Sequence, residues 1–93
     1  MKQLDFEHFS VPTGIRGKSR QTGDARESMA DLVYLNAGGI RAHRLAFKIY
    51  ESSGPTEYTD EEAGLIKGLV EKYALPNIID GLDEQLNDGK EKA

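Results

Sequence analysis

The apolar residues of this chain recur at two different intervals. Near the start, Leu4, Phe6 and His8 alternate with Asp5 and Glu7, the period of a half-buried strand, and the apolar face then shifts to Phe9 and Val11. A strand over Gln3 to Val11 with such a shift needs a bulge or an edge position. Pro12, which has no N–H to donate, agrees with an edge and ends the strand. Thr13 to Gly23 holds three glycines, three basic residues and Ile15 as its single large apolar anchor, and reads as a loop with at most a few extended residues.

From Asp24 the interval becomes helical. Asp24 and Glu27 have the spacing of a capping box, and Ala25, Met29, Leu32, Val33 and Asn36 follow at helical steps, so a helix is expected from about Asp24 to Asn36, stopped by Gly38-Gly39. Ile40 to Ser52 contains no glycine or proline. Its Ala42, Leu45, Ala46 and Ile49 make one stripe with Ile40, His43, Phe47 and Tyr50 beside it. An apolar arc this wide predicts a helix contacting neighbours on two sides, at the centre of the core. Gly54-Pro55 terminates it, and Thr56 to Tyr58 forms a short extended piece able to pair with the first strand.

Thr59 and Glu62 form a second capping box, with Asp60, Glu61 and Glu62 at the positive end of the helix dipole. Ile66, Leu69, Val70 and Tyr73 give the buried face of this helix, which Pro76 stops near Ala74. A last short helix runs from Asn77 to about Leu86 through Ile78, Ile79 and Leu82. The expected architecture is mainly α (α+β), a compact bundle of about four short helices with a short N-terminal strand paired near 56–58. At 93 residues the chain has apolar material for one core, so residues 1–86 read as a single domain and 87–93 as a frayed tail. Gly64 and Gly68, one turn apart, weaken the third helix by roughly 1 kcal/mol each relative to alanine, which points to close approach of another backbone, inside the fold in preference to a dimer seam.

Chemistry enters mainly by exclusion. Without cysteine the chain has no disulfides, thiolate nucleophiles, zinc-thiolate sites or iron–sulfur clusters. Gly17-Lys18-Ser19 matches the end of a phosphate-binding loop, but Pro12 stands where its first glycine belongs and no helix follows directly. His8 and His43 are the only imidazoles, and no serine lies in a nucleophile elbow. The carboxylates Asp60, Glu61, Glu62 and Asp80, Asp83, Glu84 lack the spacing of a calcium loop and read as helix-start and solvated faces. Neither metal nor cofactor is expected, and the short apolar runs fall far below the roughly 20 residues that cross a bilayer. The expectation is a cytoplasmic protein that is not an enzyme.

Charge adds a location. The net charge of −4 divides into eight Lys or Arg against five Asp or Glu over residues 1–50, and four Lys against eleven acids over residues 51–93. All five arginines lie in the first half. Such a layout suits a basic contact surface on an acidic body, unless the halves interleave and cancel. The candidate contact residues are Ile15, Arg16, Lys18, Arg20 and Arg26 on the loop, with Arg41, Arg44 and Lys48 along the second helix. The two helices joined through Asn36 to Gly39 also have the outline of a helix-turn-helix.

The segments LAFKIYESSGPTEYTDEE (45–62) and LIKGLVEKYALPNIIDGL (65–82) resemble small uncharacterised bacterial proteins carried by prophages and other mobile elements. That resemblance implies a bacterial accessory protein and carries over no site residue. Three expectations follow. The first is docking of an acidic protein through the basic loop, by charge-assisted contacts. The second is nucleic-acid binding through the loop and the basic edge of helix 40–52. The third is assembly, including a homodimer, through the N-terminal edge strand.

Overall fold

The computed structural model describes residues 2–16 and 19–87. Among them the elements run β1 (Lys2–Leu4), β2 (Phe9–Pro12), β3 (Arg20–Gly23), α1 (Arg26–Asn36), α2 (Ile40–Tyr50), β4 (Thr56–Tyr58), α3 (Asp60–Tyr73) and α4 (Pro76–Leu86). β1 pairs antiparallel with β4, Lys2 opposite Tyr58 and Leu4 opposite Thr56, as the N-terminal strand was expected to. The α+β architecture and its four helices also agree with the periodicity. Residues 88–93, most of the expected frayed tail, lie outside the described residues.

The single strand expected over Gln3 to Val11 is two strands in two sheets. Asp5 Oδ1 accepts from the His8 backbone N–H at 2.8 Å and closes a turn between them. The apolar face therefore changes by a break in the strand, not by a bulge. Gln85 on α4 fixes this turn by donating to the Asp5 carbonyl at 3.0 Å and accepting from the Asp5 N–H at 2.7 Å. β2 pairs instead with β3, Phe9 opposite Gly23 and Pro12 opposite Arg20, so the second part of the expected Thr13 to Gly23 loop is a strand.

Local signals set the helix ends with one exception. The Thr59 box forms on both sides, Thr59 Oγ1 accepting from the Glu62 N–H at 3.0 Å and Glu62 Oε1 accepting from the Thr59 N–H at 2.9 Å. Pro76, expected to stop α3, also opens α4 at its first turn, where a missing N–H costs nothing. The Asp24 box does not form. Ala25 caps α1 because its N–H donates to the Phe6 carbonyl at 2.7 Å, and Asp24 binds Arg26 instead.

Leu4, Phe6 and Tyr58 from the β1–β4 side meet Met29 and Val33 of α1, Leu45 and Ile49 of α2, Ile66 and Val70 of α3 and Leu82 of α4 in one core. The Phe6 ring stands 5.8 Å from Phe9 and edge-on to Tyr58 at 5.9 Å. A backbone does approach a glycine closely, but the glycine is Gly81. A Cβ there would lie 2.8 Å from the Ser10 carbonyl oxygen and 2.9 Å from Val11, whereas Gly64 and Gly68 face open space. The interior reason expected for those two glycines is thus absent.

Candidate functional site: the basic residues and the outer face of α1 and α2

Among the described residues, four of the basic side chains are held in separate ion pairs. Ile15 and Arg16 stand exposed at the tip between β2 and β3, and Lys18 lies outside the described residues. Arg20 is held on both sides of its guanidinium, by Ser10 Oγ at 2.8 Å and by Glu84 of α4. Arg26 donates to Asp24 at 2.7 Å and to the Ser52 carbonyl at 2.8 Å, with Glu7 at 3.8 Å. Arg41 pairs with Glu61 at 3.0 Å where both are exposed. Lys48 pairs with Glu62 at 2.9 Å and lies 4.7 Å above the Tyr58 ring. Arg44 is exposed and makes no ion pair among the described residues.

Three of these pairs, to Glu84, Glu61 and Glu62, join the cationic first half to the acidic second half. The halves interleave, and much of the local positive charge is neutralised. The Arg26 guanidinium and backbone N–H hold the Asp24 carboxyl at about 2, below its ordinary value of 3.8. Burial pushes the Glu62 carboxyl up, but the Thr59 N–H and the Lys48 ammonium outweigh it and leave its pKa lowered.

A different feature occupies the outer side of the α1–α2 hairpin. The inner stripe of α2 is buried as expected, but the adjoining stripe is not: Ile40 is 66% exposed, Phe47 45% and Tyr50 55%. Among the described residues nothing covers this outer flank, so the expected place of α2 at the centre of the core, with both apolar flanks in contact, is corrected to a helix buried on its inner flank alone. On α1, Tyr34 is 54% exposed and follows Glu27 and Asp31 at i+7 and i+3. The Tyr34 and Phe47 rings meet edge to face, 6.2 Å apart at 88°, and His43 stands 5.0 Å from Phe47.

Between the helices runs a groove of about 290 Å³ lined by Glu27, Asp31, Tyr34, Phe47 and Tyr50 over a floor of Ala30 and Ala46. The small floor residues let the aromatic side chains form the walls. Beyond Phe47 the surface continues to Ile40, Arg44 and Glu51. The carboxylates of Glu27, Asp31 and Glu51 make no hydrogen bond or ion pair among the described residues. The signal for this face was present in the sequence: the inner stripe of α2 is Ala, Leu, Ala, Ile, while the outer one includes His and Tyr, whose polar tips suit a wet boundary.

Reactive geometry is sparse. His8 Nδ1 lies 3.2 Å from Asp5 Oδ2 on an exposed turn, and no hydrogen bond among the described residues joins either to a hydroxyl nucleophile. No group of three or more His, Asp or Glu among the described residues could hold a metal ion. No helix among them is long and apolar enough to cross a membrane. Compared with known proteins, the chain matches no protein-family model, no curated protein and no solved structure.

Proposed function

We propose that this protein is a non-enzymatic interaction protein that docks a protein partner on the outer face of the α1–α2 hairpin. The observation that carries the reading is the contiguous exposure of Tyr34, Phe47, Tyr50 and Ile40 on two helices whose inner faces are buried in the core. Large side chains gathered in one exposed patch are the usual material of a protein interface, with aromatic residues as its anchors. A cytoplasmic accessory role in a bacterial mobile element rests on the resemblance of residues 45–82.

A second reading keeps the basic hairpin tip as the contact for an acidic protein. It is favoured by the full exposure of Ile15 beside Arg16, and weakened by the ion pairs that engage Arg20 and Arg26. Nucleic-acid binding meets the same difficulty, because Arg41 and Lys48 on α2 are paired as well. Assembly through a strand edge keeps the N-terminal strands, since β1 and β2 are each an edge of a two-stranded sheet, and gains β3, which is exposed along its length.

Quantitative affinity capture from the native host tests these readings, with the wild-type chain, Phe47→Glu and Arg16→Glu as baits. The hairpin-face reading expects a protein retained by the wild type and Arg16→Glu and lost with Phe47→Glu. Retention that depends on Arg16 and ignores Phe47 would replace it with the loop reading.

A further inference from the structure

We infer that the α1–α2 groove takes a lysine or arginine side chain, presented by a cationic amphipathic segment of the partner protein. The inference rests on the docking reading above and specifies the partner's chemistry. Three features of the groove converge on a cation.

Tyr34, Phe47 and Tyr50 line it, with Tyr34 and Phe47 set almost at right angles, so that the rings form a corner. A cation placed over an aromatic face within about 6 Å is attracted by the ring quadrupole, and arginine or lysine stems also cover apolar surface. Glu27 and Asp31 edge the same groove. They are spaced i, i+4 on α1, where like charges repel, and neither has a cationic partner among the described residues. The neighbouring Arg26 is already held by Asp24, Glu7 and the Ser52 carbonyl.

The charge of the wider face decides between occupants. Glu27, Asp31 and Glu51 outnumber the unpaired Arg44, and the whole chain carries −4. An acidic partner would meet three uncompensated carboxylates, and a second copy of this chain would bring the same excess. A cationic segment relieves the repulsion and places its alkyl stems against Phe47 and Ile40. The partner of this face is therefore opposite in charge to the one the basic loop would take.

The test is a titration of the labelled protein, followed by amide and aromatic NMR shifts, with three probes. These are a short amphipathic helix of leucine and lysine, its leucine and glutamate counterpart, and spermine. The lysine peptide is expected to shift Glu27, Asp31, Tyr34, Phe47 and Tyr50 and to bind about tenfold more tightly than the glutamate peptide. Glu27→Gln with Asp31→Asn, both at exposed positions, should reduce that preference to about twofold or less while the protein stays folded. Equal binding of the two peptides, an unchanged preference in the double variant, or shifts centred on other carboxylates would overturn the inference. Spermine binding as tightly as the lysine peptide would overturn a protein source for the cation. Equal peptide binding that Phe47→Ala abolishes would leave the docking face standing without its cationic anchor, so the two readings fail separately.

Discussion

The two flanks of α2 have similar apolar content and opposite fates. Ala42, Leu45, Ala46 and Ile49 are at most 2% exposed, whereas Ile40, Phe47 and Tyr50, a third of a turn or so away, are at least 45% exposed. The inner flank meets α1 and the core made by α3 and the β1–β4 sheet. The outer flank, among the described residues, faces Tyr34 and the groove edge on α1 and is otherwise open to solvent. An apolar stripe therefore reports a surface that favours being covered, and the cover need not come from the same molecule.

Truncation should separate the flanks most sharply. Ile49→Ala, at a fully buried position, is expected to lower stability by about 2–5 kcal/mol, while Phe47→Ala should change it by less than about 1 kcal/mol. Urea denaturation of both variants checks this, and equal losses would show that the outer flank is part of the core. The next effect compares an inward glycine with outward ones. Gly81→Ala forces a Cβ against the Ser10 carbonyl and should cost about 1–3 kcal/mol.

Thr59→Ala removes the cap of α3 at the boundary between interior and surface, for an expected loss of about 1 kcal/mol by the same denaturation. Gly64→Ala and Gly68→Ala, in open space on the outer side of α3, should each stabilise by about 0.5–1 kcal/mol, read as a higher Tm. Destabilisation by either would reveal a packing role that the open space around them excludes.

The smallest effect is electrostatic. The Asp24 pKa is lowered from 3.8 to about 2, so its contribution is present above the ordinary value and lost as pH falls through that interval. Glu62, also lowered, acts in the same direction. Tm measured against pH should fall more steeply between those values for the wild type than for Asp24→Asn, and added salt should shrink the difference because Asp24 is exposed. Parallel curves would remove Asp24 from the acid response.

Features decided by neighbours in the chain were legible at the outset. The Thr59–Glu62 box, the stops at Gly38-Gly39 and Gly54-Pro55, and the helical steps of α3 need only a few consecutive residues, and all appear in the structure. Asp24 shows where that reasoning ends. Its spacing to Glu27 was right for a box, but the Phe6 carbonyl captured the Ala25 N–H and Arg26 captured the carboxylate. The strand shift after His8 was legible as a discontinuity, and its resolution into two sheets depended on Gln85 and β3.

The candidate site divides in the same way. The eight candidate contact residues cluster in sequence, but Glu84, Glu61 and Glu62 reach across the fold to engage Arg20, Arg41 and Lys48 one by one. By itself the sequence determined four helices, the Thr59 cap of α3 and two apolar stripes on α2, since these follow from short-range hydrogen bonding and the helical repeat, and it marked the two extended pieces that pair as β1 and β4. Only the tertiary structure decided which stripe was covered, which cations were neutralised and which glycine was indispensable. Burial, ion pairing and close approach depend on what a distant segment places opposite a residue, and local spacing carries no information about that.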